Sequence, residues 1–179
     1  DVLINMMPGS HAMGFVVSAT HIAWSGASTH YWSDPQPFML SRGRFAKAIE
    51  TSGATILLGV PFMYDALAGL TDDVDFSRLR IVQSGGVALL KETYDRFKAR
   101  HGIGVRQAYG STECLLMSYN DSEDIDATWD SVGRAAPGLT FALEPSENPF
   151  GSDYGEIVVS SPAVTKGYLD APEVNARTL

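Results

Sequence analysis

The chain has 179 residues, 45% hydrophobic and 19% charged, which suits one globular domain with a buried core or a large piece of one. A net charge of -8 and an isoelectric point near 4.8 argue against a sequence-independent grip on nucleic acid or on an anionic membrane, since both need clustered Lys and Arg. No apolar run reaches the roughly 20 residues of a membrane span, the start DVLINMMPGS has no basic leader, and the lone Cys114 excludes an internal disulfide and fits a reducing compartment, by default the cytoplasm.

In chain order, VLINMM (Val2 to Met7) reads as a buried strand closed by Pro8-Gly9. From Met13 the positions Val16, Val17, Thr20 and Trp24 form a helical stripe that Gly26 ends. Ala27 to Trp32 is the next strand. Ser41 is expected to cap a helix with Phe45, Ala48 and Ile49 on one face, stopped at Gly53. TILLGV (Thr55 to Val60) is a strand buried on both faces, and Pro61 suits the first turn of the helix that follows. LRIVQS (Leu79 to Ser84) is a strand, Leu90, Tyr94 and Phe97 stripe a helix ending at Gly102, and VRQAY (Val105 to Tyr109) is another strand. This βαβα order predicts an α/β fold with a doubly wound, mostly parallel sheet. After about Asn120 the period changes. SYNDSEDIDATWDS is an acidic, solvated loop, and LTFALE and GEIVVSS alternate as half-exposed strands around the turn-rich PSENPFGSDYG. Residues 1–120 are therefore expected to form an α/β core, and residues 121–179 the acidic loop and the start of a β-rich, barrel-like subdomain.

Ligands of open α/β sheets bind at the carboxyl ends of the strands. Three successive strand ends here carry small or unusual residues: Gly59-Val60-Pro61, then SGGVA from Ser84 to Ala88, then GSTE from Gly110 to Glu113. Gly85-Gly86 reads either as a tight strand-to-helix turn or as a place where a ligand meets bare backbone. Thr112 and Glu113 read either as a helix cap and its first-turn acid or as a phosphate and metal site. In the second reading the hydroxyls donate to phosphate oxygens. The single carboxylate holds Mg²⁺, which keeps waters and shares its shell with phosphates. Tyr109 is either a core aromatic or a flat face for a base, and His11 either a structural cap or a functional group. There is no G-x-x-x-x-G-K-[ST], no G-x-G-x-x-G after a strand, no zinc spacing and no G-x-S-x-G elbow. No Lys lies in the three loops, so cations for a nucleotide would come from elsewhere.

QAYGSTE (Gln107 to Glu113) resembles the Tyr-Gly-x-Thr-Glu signature of the adenylate-forming, or AMP-binding, superfamily of acyl- and aryl-CoA ligases, peptide-synthetase adenylation domains and beetle luciferases. Other segments resemble that family in its own order over essentially the whole chain. They are MMPGSHAMGF with Pro8, His11 and Gly14, LLGVPFMYDAL, IVQSGGVALLKETYDRF, SVGRAAPGL and GEIVVSSPAVTKGYLDAPEVNART. The resemblance implies an ATP-dependent, AMP-forming acid–thiol ligase. A carboxylate attacks the α-phosphate of ATP to give an acyl-adenylate, and CoA then displaces AMP. It implies ATP/AMP, Mg²⁺, CoA and a small carboxylic acid as ligands. Thr112 would contact phosphate, with Gly110 and Ser111 beside it, and Glu113 would ligate Mg²⁺. Tyr109 would stack on adenine, with Gln107 and Ala108 along the base edge and Gly85, Gly86 and Val87 lining the adenine and acyl pocket. His11 would border the carboxylate pocket, and Val60, Gly85, Gly110 and Leu115 would complete the acyl site. Lys166 is expected to be an ordinary exposed Lys.

The family's upstream phosphate loop with its Lys, its downstream Thr-Gly-Asp and its C-terminal domain with the adenylation Lys have no counterpart in this sequence, which also begins without Met. The expectation is an internal fragment of a ligase's N-terminal domain, inactive by itself, because Thr112 and Glu113 alone cannot stabilise the charge that builds on the α-phosphate. Gln107 favours a CoA ligase over an amino-acid-activating adenylation domain, where Asn is usual at that place. A non-catalytic nucleotide-binding module is the third reading. The small and apolar residues around the site permit aromatic or medium aliphatic acids.

Overall fold

A computed structural model describes residues 1–145 and 154–178, so most of the turn-rich stretch expected between the last two strands lies outside the described residues. Seven strands form one sheet in the order β2-β1-β3-β4-β5-β6-β7. The first five are parallel: β2 (Ser28–Tyr31), β1 (Val2–Asn5), β3 (Ile56–Gly59), β4 (Ile81–Ser84) and β5 (Arg106–Ser111). β6 (Leu115–Tyr119) and β7 (Arg134–Ala135) then run antiparallel. A separate antiparallel pair, β8 (Thr140–Pro145) and β9 (Gly155–Ser160), follows. The large sheet thus continues past Asn120 through β7, and the second sheet begins only at β8.

Side chains alternate across the sheet with period two. Ile4, Leu57 and Val82 point into the main core with Phe45, Ile49, Met63, Tyr64, Leu67 and Phe97 from α2 (Phe38–Ser52), α3 (Pro61–Ala68) and α4 (Lys91–His101). Leu3, Ile56 and Leu58 point the other way, toward Val17 and Ile81. That is why TILLGV is apolar without alternation: β3 is central, and all four of its residues are buried. Tyr64 packs edge-on against Phe97, with ring centroids 5.2 Å apart, and donates its hydroxyl to the carbonyl of Gln83 in β4.

Five local expectations need correcting. The helix after β1 begins as a π-helical turn (Met13–Val17) before α1 (Ser18–Ser25). The strand itself stops at Asn5, whose buried amide accepts the Met7 N–H and donates to Gly14 O and Ser18 Oγ, organising the turn that follows. Ser41 does not cap α2. The helix starts a turn earlier behind Pro37, so that Phe38 can pack edge-on against Phe45 at 5.6 Å, and Ser41 lies buried inside it. The acidic loop is pinned rather than merely solvated. Buried Asn120 donates to the carbonyls of Thr128 and Ser131 and accepts the Ser122 N–H, and Trp129 tilts against Tyr94. Finally, no helix lies between β5 and β6, so Thr112 is not an N-cap and the helix-start reading of Thr112-Glu113 fails. Gly26, Gly53 and Gly102 do end their helices, each in the left-handed region.

No helix among the described residues is long and apolar enough to cross a membrane, and Cys114 is buried as a free thiol.

Candidate functional site

Because β3, β4 and β5 are parallel and adjacent, the three marked strand ends fall on one edge of the sheet. They touch. The Gly85 N–H donates to the Gly59 carbonyl at 3.1 Å. A Cβ built on Gly86 would lie 3.6 Å from Val60 Cγ1, and one on Gly85 would lie 3.0 Å from Met13 Cε and 3.5 Å from the carbonyl of Ala108. Gly86 has φ +86°, a conformation that side-chain-bearing residues resist, so its Gly serves the turn as well as any ligand. Beyond it Val87 is exposed, while Leu89 turns inward.

Gln107 is buried and fully used within the protein: its Oε1 accepts the Leu89 N–H at 2.9 Å and its Nε2 donates to the Trp129 carbonyl at 2.9 Å. It ties the Gly85–Leu89 loop to the acidic loop. Ala108 is also buried beneath the edge, whereas Tyr109 is 36% exposed and presents part of its ring at the surface.

The chain then reverses within the GSTE segment. A bulge separates Tyr109 from Gly110, and Gly110 pairs with Leu116 and Ser111 with Leu115. The reversal brings the Leu115 carbonyl to 2.2 Å from where a Cβ on Gly110 would be, so no other residue fits there. Leu115 itself holds φ +59°, an unusual conformation for a bulky side chain, and is 39% exposed. At the tip Thr112 is exposed. Ser111 Oγ accepts the Glu113 N–H at 3.2 Å, fixing the turn.

Glu113 is held from the far end of the chain. The Tyr168 hydroxyl donates to its Oε1 at 2.6 Å, and the Thr165 N–H donates to its carbonyl at 2.7 Å. The Tyr168 bond is the first cause lowering the carboxyl pKa from its ordinary value, with hydrogen bonds from backbone and Ser111 behind it; the same bond raises the Tyr168 phenol. Glu113 is thus an anion with one oxygen restrained. The described residues contain no group of three or more His, Cys, Asp or Glu that encloses a metal. A single carboxylate beside exposed hydroxyls instead suits a hard cation that brings phosphate and water oxygens with it.

His11 sits at the same edge but is occupied locally. It is exposed, and its Nδ1 accepts the Met13 N–H at 3.1 Å at the start of the π-helical turn. It therefore reaches the site through the Met13 that lies against Gly85. A separate cleft of about 390 Å³ opens between the ends of β1 and β2, walled by Met6, Met7, Trp32 and Phe38 together with Asp34 and Ser41, and no residue of the three loops lines it. Lys166 is exposed. The sequence pointed to Gly85, Gly86, Val60, Ala108, Tyr109, Gly110, Ser111, Thr112, Glu113 and Leu115, and these do lie on or beside the three loops. Asn5, Asn120 and Tyr168 went unnoticed. A buried Asn beside a strand end is a signal for the first two, and Tyr168 stands in the family-like Lys166-Gly167-Tyr168 stretch, though nothing there points to Glu113.

The AMP-binding enzyme family model matches residues 1–169. Among curated proteins, the chain is 30% identical over 179 residues to a feruloyl-CoA synthase from Amycolatopsis sp, covering 94% of this chain and 34% of that protein. It is 29% identical to the medium-chain fatty-acid–CoA ligase of Escherichia coli (strain K12), covering all of this chain and 31% of that protein. Among solved structures, ATP-bound MatB from Rhodopseudomonas palustris superposes with a TM-score of 0.81 at 26% identity, over 99% of this chain and 35% of that one. The chain spans about a third of the length of the relatives it matches.

Proposed function

The chain belongs to the AMP-binding enzyme family, and from that premise we propose that it carries the phosphate- and metal-binding edge of an ATP-dependent, AMP-forming acid–CoA ligase. The observation that carries the reading is the Gly110–Glu113 turn, where an exposed Thr hydroxyl and one restrained carboxylate stand together at the carboxyl edge of a parallel sheet.

In this account the Thr112 hydroxyl donates to a phosphate oxygen, and the Gly110 and Ser111 backbone lets the phosphate approach closely. Glu113 holds Mg²⁺, which when bound offsets charge on the phosphates. The Tyr109 ring lies against adenine, with Gly86 and Val87 on its other side. Ala108 is the floor, and Gln107 acts by fixing the loops that flank the base. Val60, Gly85, Gly110, Leu115 and the His11–Met13 turn border the acyl group. The carboxylate substrate attacks the α-phosphate, its C–O–P bond forms as the bond to pyrophosphate breaks, and the thiol of CoA then displaces AMP from the acyl carbon. The relatives named above act on aromatic and aliphatic acids, and the apolar border here suits either. A division into an α/β unit and a β-rich unit belongs to the same proposal, with the change placed between β7 and β8 rather than near residue 120, because the seven-stranded sheet runs through Ala135.

No Lys or Arg lies within Gly59–Pro61, Ser84–Ala88 or Gly110–Glu113. Cations that stabilise the transferring phosphate therefore come from beyond these loops, and the 179 residues on their own are expected to support no adenylation.

The test uses the whole gene product with ATP, CoA and a panel of aromatic, aliphatic and amino acids. AMP release and a CoA thioester identified by mass spectrometry are expected with a subset of aromatic or aliphatic acids. Turnover with amino acids alone would place it with amino-acid-activating domains. ATP binding without AMP release from any acid would mark it as a nucleotide-binding module and overturn the proposal.

A further inference from the structure

The contact between Glu113 and Tyr168 joins residues 55 positions apart. Among the described residues it is one of two hydrogen bonds that the segment after β9 makes to the turn, the other being main chain to main chain, from Thr165 N–H to Glu113 O. The segment is itself clamped. Asn175 in α5 (Pro172–Thr178) accepts the Tyr168 N–H at 2.7 Å and donates to the Tyr168 carbonyl at 3.0 Å. A Cβ on Gly167, which has φ +139°, would come within 2.9 Å of the Asn175 amide, so the backbone beside Tyr168 is fitted to that side chain. Below, Val159 and Val164 pack against buried Cys114, Met117 and Leu139, joining the second sheet to β6.

The attachment of this segment is therefore already secured by the Thr165 bond and the Cys114 cluster. The phenol hydroxyl adds something different. Of all the bonds in the latch, it is the one that ends on the carboxylate, and a 2.6 Å bond from a phenol to an anion is a short, directional one.

We propose that Tyr168 is a positioning residue for Glu113: the Asn175-clamped phenol restrains the carboxylate in the orientation that receives the metal–nucleotide, and so sets the metal affinity of the site. This rests on the reading of Glu113 as the metal ligand. An unrestrained Glu side chain samples several rotamers, and each binding event must then freeze them. Tyr168 holds one oxygen before the ligand arrives, and Asn175 keeps Tyr168 from following the carboxylate if it rotates.

The experiment uses the whole gene product and Tyr168→Phe, which removes one oxygen and keeps the ring. Two quantities are read: Mn²⁺ binding by electron paramagnetic resonance in the presence of a non-hydrolysable ATP analogue, and half-saturating Mg²⁺ in ATP–pyrophosphate exchange. Loss of a hydrogen-bond partner behind a metal ligand weakens metal binding by roughly 10–100-fold. Because this bond is partly exposed, the expected loss is the lower figure, roughly tenfold, in both readouts, with the thermal midpoint unmoved. Asn175→Ala, which frees the Tyr168 backbone, is expected to shift both in the same direction by less. On a Glu113→Gln background Tyr168→Phe is expected to add nothing further to the Mn²⁺ loss, as the two act through one group.

Unchanged Mn²⁺ affinity and half-saturating Mg²⁺ in Tyr168→Phe would overturn the proposal while leaving the ligase reading intact. A fall in thermal midpoint with no metal effect would reduce Tyr168 to a staple. If the unsubstituted protein binds no Mn²⁺ with the nucleotide analogue, or if Glu113→Gln binds it equally well, the ligase reading of the turn fails first and this inference with it.

Discussion

Gly110→Ala tests the geometry of the Gly110–Glu113 turn most sharply. The added methyl would stand 2.2 Å from the Leu115 carbonyl oxygen, 3.1 Å from its carbon and 3.3 Å from Leu116 Cα. All three neighbours are backbone, and contacts below 3.0 Å are essentially unknown for a real Cβ, so the shortfall is 3.0 - 2.2 = 0.8 Å. Leu115 already sits at φ +59° and has little room to yield. The turn must open, loosening the Gly110–Leu116 and Ser111–Leu115 pairs. Overpacking of this kind costs about 1–3 kcal/mol, and each weakened ladder bond adds roughly 0.5–1.5 kcal/mol. The expected loss is about 2–6 kcal/mol, a large share of an ordinary domain's stability. Urea unfolding followed by tryptophan fluorescence reads it, and ATP-analogue affinity is expected to fall together with it. Gly9→Ala is the control, since a Cβ there meets nothing within 4 Å, and it is expected to stay within about 0.5 kcal/mol of the parent. A Gly110→Ala protein as stable as the control, with nucleotide affinity retained, would refute the tight-turn argument.

Tyr64→Phe keeps the edge-on contact with Phe97 but removes the donor to the half-buried Gln83 carbonyl, and is expected to cost about 1 kcal/mol in the same unfolding assay. His101 carries a pH effect. Burial, against a weak bond to the Leu67 carbonyl, lowers its pKa, and its ring stacks on Phe76 at 4.4 Å. A His whose folded pKa is depressed takes up protons more readily when unfolded, so its contribution is complete above the unfolded value of about 6.5 and declines as pH falls through that value. Unfolding midpoints at pH 7.5 and 5.5 are expected to converge in His101→Gln relative to the parent; an equal pH dependence in both would exclude His101 as its source. The lowered Glu113, Asp34, Asp75 and Asp126 carboxyls act lower, their stabilisation being present above the unfolded carboxyl values and lost as pH falls below them. Tyr168→Phe is expected to weaken Mn²⁺ binding roughly tenfold without lowering the thermal midpoint.

Local pattern carried most of the fold into view. ILLG is apolar throughout because β3 is buried on both faces, and Gly26, Gly53 and Gly102 mark real helix ends. Ser41 misled because capping preference is a local signal, and the packing of Phe38 on Phe45 outweighed it. The segment after β5 was ambiguous for a similar reason: Thr-Glu after a strand reads as a helix start, while the reversal that replaces it depends on Gly110 meeting Leu115 across a bulge. Buried Asn120 turns a run of acids and hydroxyls, which looks solvated one residue at a time, into an anchored loop. Of the site, the residues of the Gly110–Glu113 turn and the role proposed for them are readable from the sequence, whereas the contacts that hold the turn are not. Gln107 looked like a base-edge residue yet spends both ends of its amide on the scaffold, and Tyr168 reaches Glu113 from a separation that no periodicity reports.

The measurement that bears most directly on the account is carboxylate-dependent exchange of labelled pyrophosphate into ATP by the whole gene product, with Glu113→Gln run beside it across a Mg²⁺ titration. The account predicts exchange with at least one aromatic or aliphatic acid, and in Glu113→Gln a loss at limiting Mg²⁺ greater than the roughly tenfold expected for Tyr168→Phe, which added metal partly restores. Exchange at the parent's rate in Glu113→Gln at every Mg²⁺ concentration would contradict it.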